Sequence, residues 1–411
     1  MKEMLEKLYG QSEICAQEKR YAAAERAFAD IFATEEKPMI FSASGRTEIA
    51  GNHTDHNRGL VMAAAVSLDV IAMVLPTDDN VIIVQSEGFP EDVVDLSELS
   101  VSEGETGTSA ALIRGVAAAF SSQGLNIGGF RAYTTSNVLK GSGVSSSAAF
   151  EVLIATVLSH LYNDGTVDAV TVAKAARYAE NEYFGKPSGL MDQLASAVGG
   201  FVAIDFKDEE NPVINSIDYD FSASGYSLCI VDTKGSHADL TPDYAAIPGE
   251  MRSVAEFFGC EYLREVEPMD LLLNVADVRS ECGDRAVLRA FHFFDENLRI
   301  PQLEYALRGG DMHSFLGLIN QSGISSVMYL QNIYSPADPS NQALSLALAM
   351  AEKLLMGRGA CRVHGGGFAG TIQAFVPLDI LDEFTVMMNN VFGEGSCHIL
   401  TIRPVGGIRL R

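Results

Sequence analysis

The sequence predicts an α+β chain of two domains with a site in the cleft between them. Three observations lead there. The 411 residues are 47% hydrophobic, enough for two moderate cores meeting at a cleft. Strand-like and helix-like segments mix in the first half, whereas the second half is a helix series flanked by strands. Pro and charge gather at "KDEENPV", which sets a boundary near residue 210. The expected units are therefore an N-terminal mixed-sheet α/β domain over 1–210 and a C-terminal α+β domain over 211–411.

The elements follow in order. The first 40 residues read as helical, with Tyr21, Ala24, Phe28 and Ile31 at helix spacing. Strands are expected at "PMIFSAS", "GLVMAAAV", "VIAMVLP", "NVIIVQSE" and "FRAYTTS". Helices are expected at about 109–122, 146–162 and 171–184. After "GGFVAIDF" come a strand "YSLCIVDT", helices between Pro242 and Met356, a strand, glycine turn and strand in "GACRVHGGGFAGTIQAFVP", and a last strand near "HILTIRPV". No solenoid-period repeat or low-complexity tract interrupts this series.

Composition excludes several classes. The formal charge of −25, with no Lys/Arg cluster, argues against a nucleic-acid partner. An anionic ligand would have to be held locally, by backbone N–H groups, a few cations or a metal. The N-terminus has no apolar signal-peptide core, and the longest apolar run, Gly59 to Pro76, is broken by Asp69 and alternates like a strand. A soluble, unexported, cytoplasmic protein without a membrane partner is expected. Six cysteines without metal-ligand or C-x-x-C spacing fit thiols in a reducing compartment.

Four segments carry the chemistry. "AGNHTDHN" packs two His, two Asn, an Asp and a Thr after a strand, which suits a metal site, a turn or a grip on hydroxyl groups. "NVLKGSGVSSSAAFEVLIATVL" places Gly141 and Gly143 before Ser145, Ser146 and Ser147 at a helix start, where free N–H groups and the helix dipole can cradle phosphate. One cap needs one serine, so three with two glycines ahead favour the phosphate over a plain capped helix. No Walker A pattern occurs anywhere in the chain. "RVHGGGFAGTIQAF" matches a dinucleotide fingerprint formally, but a strand rather than a helix follows and too little chain remains. It reads instead as a backbone shaped for close approach, with His364 a core or turn histidine. "YAENEYFGKPSGLMDQLASAVGG" sets Asp192 among apolar neighbours after Glu180, as either a helix cap or a functional carboxylate.

Together these segments resemble the galactokinase family of the GHMP kinase superfamily, from about Phe28 to the C-terminus. "GRTEIAGNHTDHNRG" is similar to the family signature G-R-x-N-L-I-G-E-H-T-D-Y-N-x-G, "GSGVSSSAAFEV" to its phosphate loop, and "HGGGFAG" to its third motif. The resemblance implies the two-domain GHMP kinase fold and an ATP-dependent sugar 1-kinase, acting most simply on galactose. It implies Asp192 and Arg46 as the catalytic pair. Asn52, His53, Thr54, Asp55, Gly189 and Tyr244 would lie at the sugar, Tyr244 following His237 at the family spacing. Gly141, Ser142, Gly143, Val144, Ser145, Ser146 and Ser147 would wrap the ATP phosphates, with Ser147 and Glu180 holding Mg2+. Its partners are a small sugar and ATP, with oligomeric state open and a monomer compatible.

Departures mark a divergent branch. Asn52 replaces the signature's Glu, Thr47 and Glu48 stand for its Val-Asn, His56 for its Tyr, and His364 for a common Thr. An amide at 52 can donate as well as accept, which leaves N-acetylgalactosamine or a uronic acid as alternative sugars. A sugar- and ATP-sensing regulator is the alternative of another class, and the intact set Arg46, Ser147, Glu180 and Asp192 favours the enzyme.

Overall fold

The structure, a computed structural model, describes residues 1–138, 144–235 and 240–411, without the side chain of Glu103. Among these, twelve strands form two sheets: β1 Met39–Ala50, β2 Leu60–Pro76, β3 Val81–Ser86, β4 Glu91–Asp95, β5 Phe130–Ser136, β6 Phe201–Asp205, β7 Val213–Ile217, β8 Tyr226–Asp232, β9 Ala360–His364, β10 Thr371–Pro377, β11 Cys397–Leu400 and β12 Ile408–Arg409. The first sheet runs β12-β1-β2-β5-β3-β4, and β6 joins β2 with β7 beyond it. Only the β3–β5 pair is parallel. The second sheet runs β11-β8-β10-β9 and is antiparallel throughout.

β1 and β2 are buried almost along their whole length, which explains the nearly continuous apolar sequence of β2, while β1 buries Ser42, Ser44, Arg46, Thr47 and Glu48 as well. The two strands expected at "GLVMAAAV" and "VIAMVLP" are one 17-residue strand, whose first part pairs with β6 and whose last part pairs with β5. Asp69, the break in that run, is fully buried and held by Arg20 at 2.7 Å, Arg403 at 3.1 Å, and the Tyr9 and Ser42 hydroxyls. Burial alone would raise its pKa, but the two arginines outweigh that and hold the carboxyl below the usual range. This cluster fastens the N-terminal helices Lys2–Tyr9 and Ile14–Phe32 to the sheet.

Helices 109–122 and 146–162 fall where expected. In helix Ile14–Phe32 Tyr21, Ala24 and Phe28 are buried, but Ile31 is 44% exposed and Phe32 beside it packs against that cluster instead. β4 was not foreseen, since "EDVVD" is a short edge strand with charge on it. The boundary expected near residue 210 falls in the turn of the β6–β7 hairpin, whose strands both belong to the first sheet. That sheet also takes back the chain's last strand, β12. Charge and proline mark a hairpin turn as readily as a linker.

Candidate active site

Arg46 and Asp192 lie 146 residues apart and form a two-pronged ion pair. Arg46 Nε and Nη2 donate to the two oxygens of Asp192, each at 2.6 Å. β1 has a register shift between Ser44 and Arg46, a bulge of the kind that re-aims a side chain. Asp192 sits in the first turn of helix Met191–Val198, where the dipole favours a negative charge. Its side chain keeps 26% of its surface exposed, so a ligand can reach it. Burial pushes its pKa up, and the charge and hydrogen bonds of Arg46 with the Ser145 hydroxyl more than reverse that. The carboxyl is ionised, below the ordinary aspartate range.

The end of the serine-rich loop reaches the same place. The Val144 carbonyl accepts the Arg46 N–H at 3.1 Å and would lie 2.7 Å from a Cβ on Gly45, so the loop needs glycine there. Ser145 has the left-handed φ of 59° that turns the chain into helix 146–162. Ser146 opens that helix and Ser147 follows in its first turn. Gly141, Ser142, Gly143 and His237 lie outside the described residues.

Ser147 Oγ donates to Glu180 Oε1 at 2.8 Å. Helix 169–178 is continued by a π-helical turn, Ala179–Phe184, and that turn presents Glu180. Lys186 Nζ also reaches Oε1 at 2.7 Å, while the Ser188 hydroxyl and the Gln193 amide reach Oε2 at 2.6 and 2.8 Å. Behind Gln193 lies Glu151, fully buried, with Gln193 Nε2 at 3.2 Å. Burial, and the negative Glu180 nearby, push its pKa well up. Glu151 Oε1 and Gln193 Oε1 are both buried without partners, as suits a carboxyl that keeps its proton. Sequence reasoning missed Lys186, Ser188, Gln193 and Glu151. Gln193 follows Asp192 directly and Lys186 is the lone cation between Glu180 and Asp192, which was the available signal.

The expected sugar loop divides into two groups. Asp55 keeps 20% of its side chain exposed, and its Oδ2 lies 3.0 Å from where a Gly189 Cβ would stand. His53 donates through Nε2 to the Gly366 carbonyl at 2.9 Å, and burial with neighbouring His56 lowers its pKa to about 4, so it is neutral. Tyr244 donates to the Gly367 carbonyl at 2.9 Å, and a Cβ on Gly366 would lie 2.6 Å from its ring. Asn52 and Thr54, by contrast, are turned inward. Thr54 is fully buried with its hydroxyl on the Gly51 and Leu60 carbonyls.

Asn52 is 1% exposed. Its Nδ2 donates to the Gly365 carbonyl at 2.7 Å and to both Glu48 oxygens at 3.1 and 3.2 Å, and its Oδ1 accepts from Asn332 at 2.7 Å. Glu48 in turn pairs with buried Arg362 at 2.9 Å. Two of the departures from the signature, Asn52 and Glu48, thus meet in one hydrogen-bonded pair, beneath the loop rather than on its face. The glycine turn between β9 and β10 approaches this loop from the second sheet and accepts on three successive carbonyls. His364 is buried between Thr47 and Thr371, its pKa lowered to about 3 by burial and the nearby Arg46, and is a core histidine.

Comparisons with known proteins bear on this geometry. The GHMP kinases N-terminal domain model matches residues 111–200, and the galactokinase galactose-binding signature matches 26–76. A galactokinase of Streptomyces coelicolor is 29% identical over 356 residues, covering 86% of this chain and 88% of its own. The chain is a homologue of galactokinase and carries a GHMP kinases N-terminal domain. Its fold is that of the GHMP kinases. Lactococcus lactis galactokinase, solved in complex with galactose, superposes with a TM-score of 0.80 at 23% identity over 95% of this chain and 100% of its own. Methanococcus jannaschii mevalonate kinase follows at 0.62, with 14% identity over 90% and 99%. Among the described residues of this homologue no helix is long and apolar enough to cross a membrane, and all six cysteines are free.

Proposed function

We propose that this cleft transfers the γ-phosphoryl group of ATP to the anomeric hydroxyl of galactose. The observation that carries the reading is the Arg46–Asp192 pair, set between the serine-rich loop and the sugar loop. Phosphoryl transfer asks a protein chiefly for positioning and for positive charge around the transferring group. Asp192, ionised and partly exposed, can accept the sugar hydroxyl's hydrogen bond and aim its oxygen. A carboxylate held this low is a weak base for an unactivated alcohol. Its proton is received late, when the bond to phosphorus has made the hydroxyl acidic, and such a base contributes ~10²–10⁴-fold. Arg46 keeps Asp192 charged and lends its guanidinium to the charge that develops nearby.

The Ser147 hydroxyl and Glu180 carboxylate form a hard oxygen pair that fits Mg2+, a cation content with one carboxylate, a hydroxyl, waters and nucleotide phosphates. No group of three or more His, Cys, Asp or Glu side chains is needed for that, and none is present among the described residues. Lys186 Nζ shows that Glu180 Oε1 attracts a cation, and at 57% exposure this lysine is free to swing aside. When bound, the metal neutralises phosphate charge. Ser188 and Gln193 meanwhile hold the other Glu180 oxygen still. Asp55, His53 and Tyr244 are the sugar-facing set, with Gly189 leaving room beside Asp55. Asn52 and Thr54 support that set from below.

The test is ADP release with MgATP and a sugar panel of galactose, N-acetylgalactosamine and galacturonate. Turnover with galactose above both others is expected. Turnover of a derivative without galactose would overturn the sugar assignment, and ATP consumption by none of them would overturn the kinase.

A further inference from the structure

Beside the sugar loop lies a cavity of about 380 Å³ that borders the proposed sugar site at Asp55 and Gly189 and extends away from it to two arginines the reaction does not use. Arg58, Arg252 and Tyr262 line one part of it, and Asp55, Ser188 and Gly189 another. The Arg58 and Arg252 guanidinium carbons lie 4.0 and 5.7 Å from the centroid of the single Tyr262 ring. Among the described residues neither arginine forms an ion pair with a carboxylate, and Arg58 Nε is buried without a hydrogen-bond partner. That is unusual in a chain with 54 acidic and 29 basic side chains, where a carboxylate is nearly always at hand.

The acids around the cavity are engaged elsewhere. Glu209 goes to Arg177 at 3.2 Å, Asp205 to Arg264 at 2.7 Å, and Asp208 accepts the N–H groups of Glu210 and Asn211. Asp55 accepts its neighbour's N–H at 3.0 Å. Two guanidinium groups gathered at one aromatic ring, with no carboxylate paired to either and only the more distant charge of Asp208 acting on Arg58, form a receptor for a compact oxyanion, because their planar forks match phosphate oxygens.

We propose that this cavity is a binding site for a small phosphate-bearing anion, separate from the nucleotide phosphates. Inorganic phosphate and a sugar phosphate share the required chemistry. Its occupant would rest against Ser188 and Gly189, in the segment that joins Glu180's partner to Asp192, and so would bear on the sugar's affinity.

Calorimetry at constant ionic strength tests this, with the nucleotide site saturated by a non-hydrolysable ATP analogue and also without it. Inorganic phosphate and a hexose 6-phosphate are titrated into the parent, Arg252→Gln and Arg58→Lys. Binding to the parent in both conditions is expected, weakened about tenfold or more in Arg252→Gln and less in Arg58→Lys, which keeps the charge but loses the fork. The tighter of the two titrants names the source. No binding to the parent, binding abolished by the ATP analogue, or equal affinity in Arg252→Gln would each overturn the proposal. Arg252 is exposed, so its variant remains informative if Arg58→Lys proves unstable.

Discussion

At position 52 an amide stands where the galactokinase signature has a carboxylate, and at position 48 a carboxylate stands where it has an amide. The sequence shows these as two separate departures, four residues apart. The structure joins them, since Asn52 Nδ2 spans both Glu48 oxygens under the loop. The exchange preserves one carboxylate and one amide in a buried site, with Arg362 as the counter-charge. Asn52→Glu alone should therefore place two carboxylates together and cost about 3 kcal/mol or more, while the double variant Glu48→Asn/Asn52→Glu recovers most of that. Urea unfolding of the three proteins checks it, and an Asn52→Glu protein as stable as its parent would contradict the pairing. Pairing of this kind was illegible in the sequence, whereas the Arg46–Asp192 contact was implied by the resemblance to galactokinase and is present. Residue type left Asp192 evenly poised between a cap and a reactive carboxylate, and only the bulged strand brings Arg46 to it.

Among the elements, the long helices and central strands were legible because each buries a face with its own period. The π-helical turn at Ala179–Phe184 was not, since its extra residue looks like ordinary helix in sequence, yet it sets the direction of Glu180. Helix 146–162 carries Glu151 on a wholly buried face, where Gln193 links it to Glu180. Glu151's folded pKa lies above its ordinary 4.5, so the folded chain keeps a proton that the unfolded chain releases. Stability from this group is complete below about pH 4.5 and is lost as pH rises toward the folded value. Glu151→Gln removes that titration. The melting temperature of the variant relative to its parent should climb steadily between about pH 5 and 8, and a difference independent of pH would show that Glu151 is ionised when folded.

Across the whole molecule, the two sheets meet where Arg362 on β9 reaches Glu48 and the Ile49 carbonyl on β1, at 2.9 and 2.7 Å. The glycine turn beside it accepts from Asn52, His53 and Tyr244 on successive carbonyls, so these side chains are aligned by contact between the sheets. Arg362→Met leaves Glu48 buried without its partner, and a loss of about 3–5 kcal/mol is expected in denaturant unfolding. A change below about 1 kcal/mol would mean the ion pair is not what joins the sheets. The order of elements was readable in the sequence, but the return of β7 and β12 to the first sheet was not. The proposed phosphorylation of galactose at its anomeric hydroxyl rests on Asp192. Phosphorus NMR of the product from galactose and MgATP, run beside Asp192→Asn with nucleotide binding measured in both, tests it most directly. An anomeric phosphate from the parent, a loss of ~10² or more in the variant's rate, and nearly unchanged nucleotide affinity are expected. A phosphate at another carbon, or a variant as fast as its parent, would contradict it.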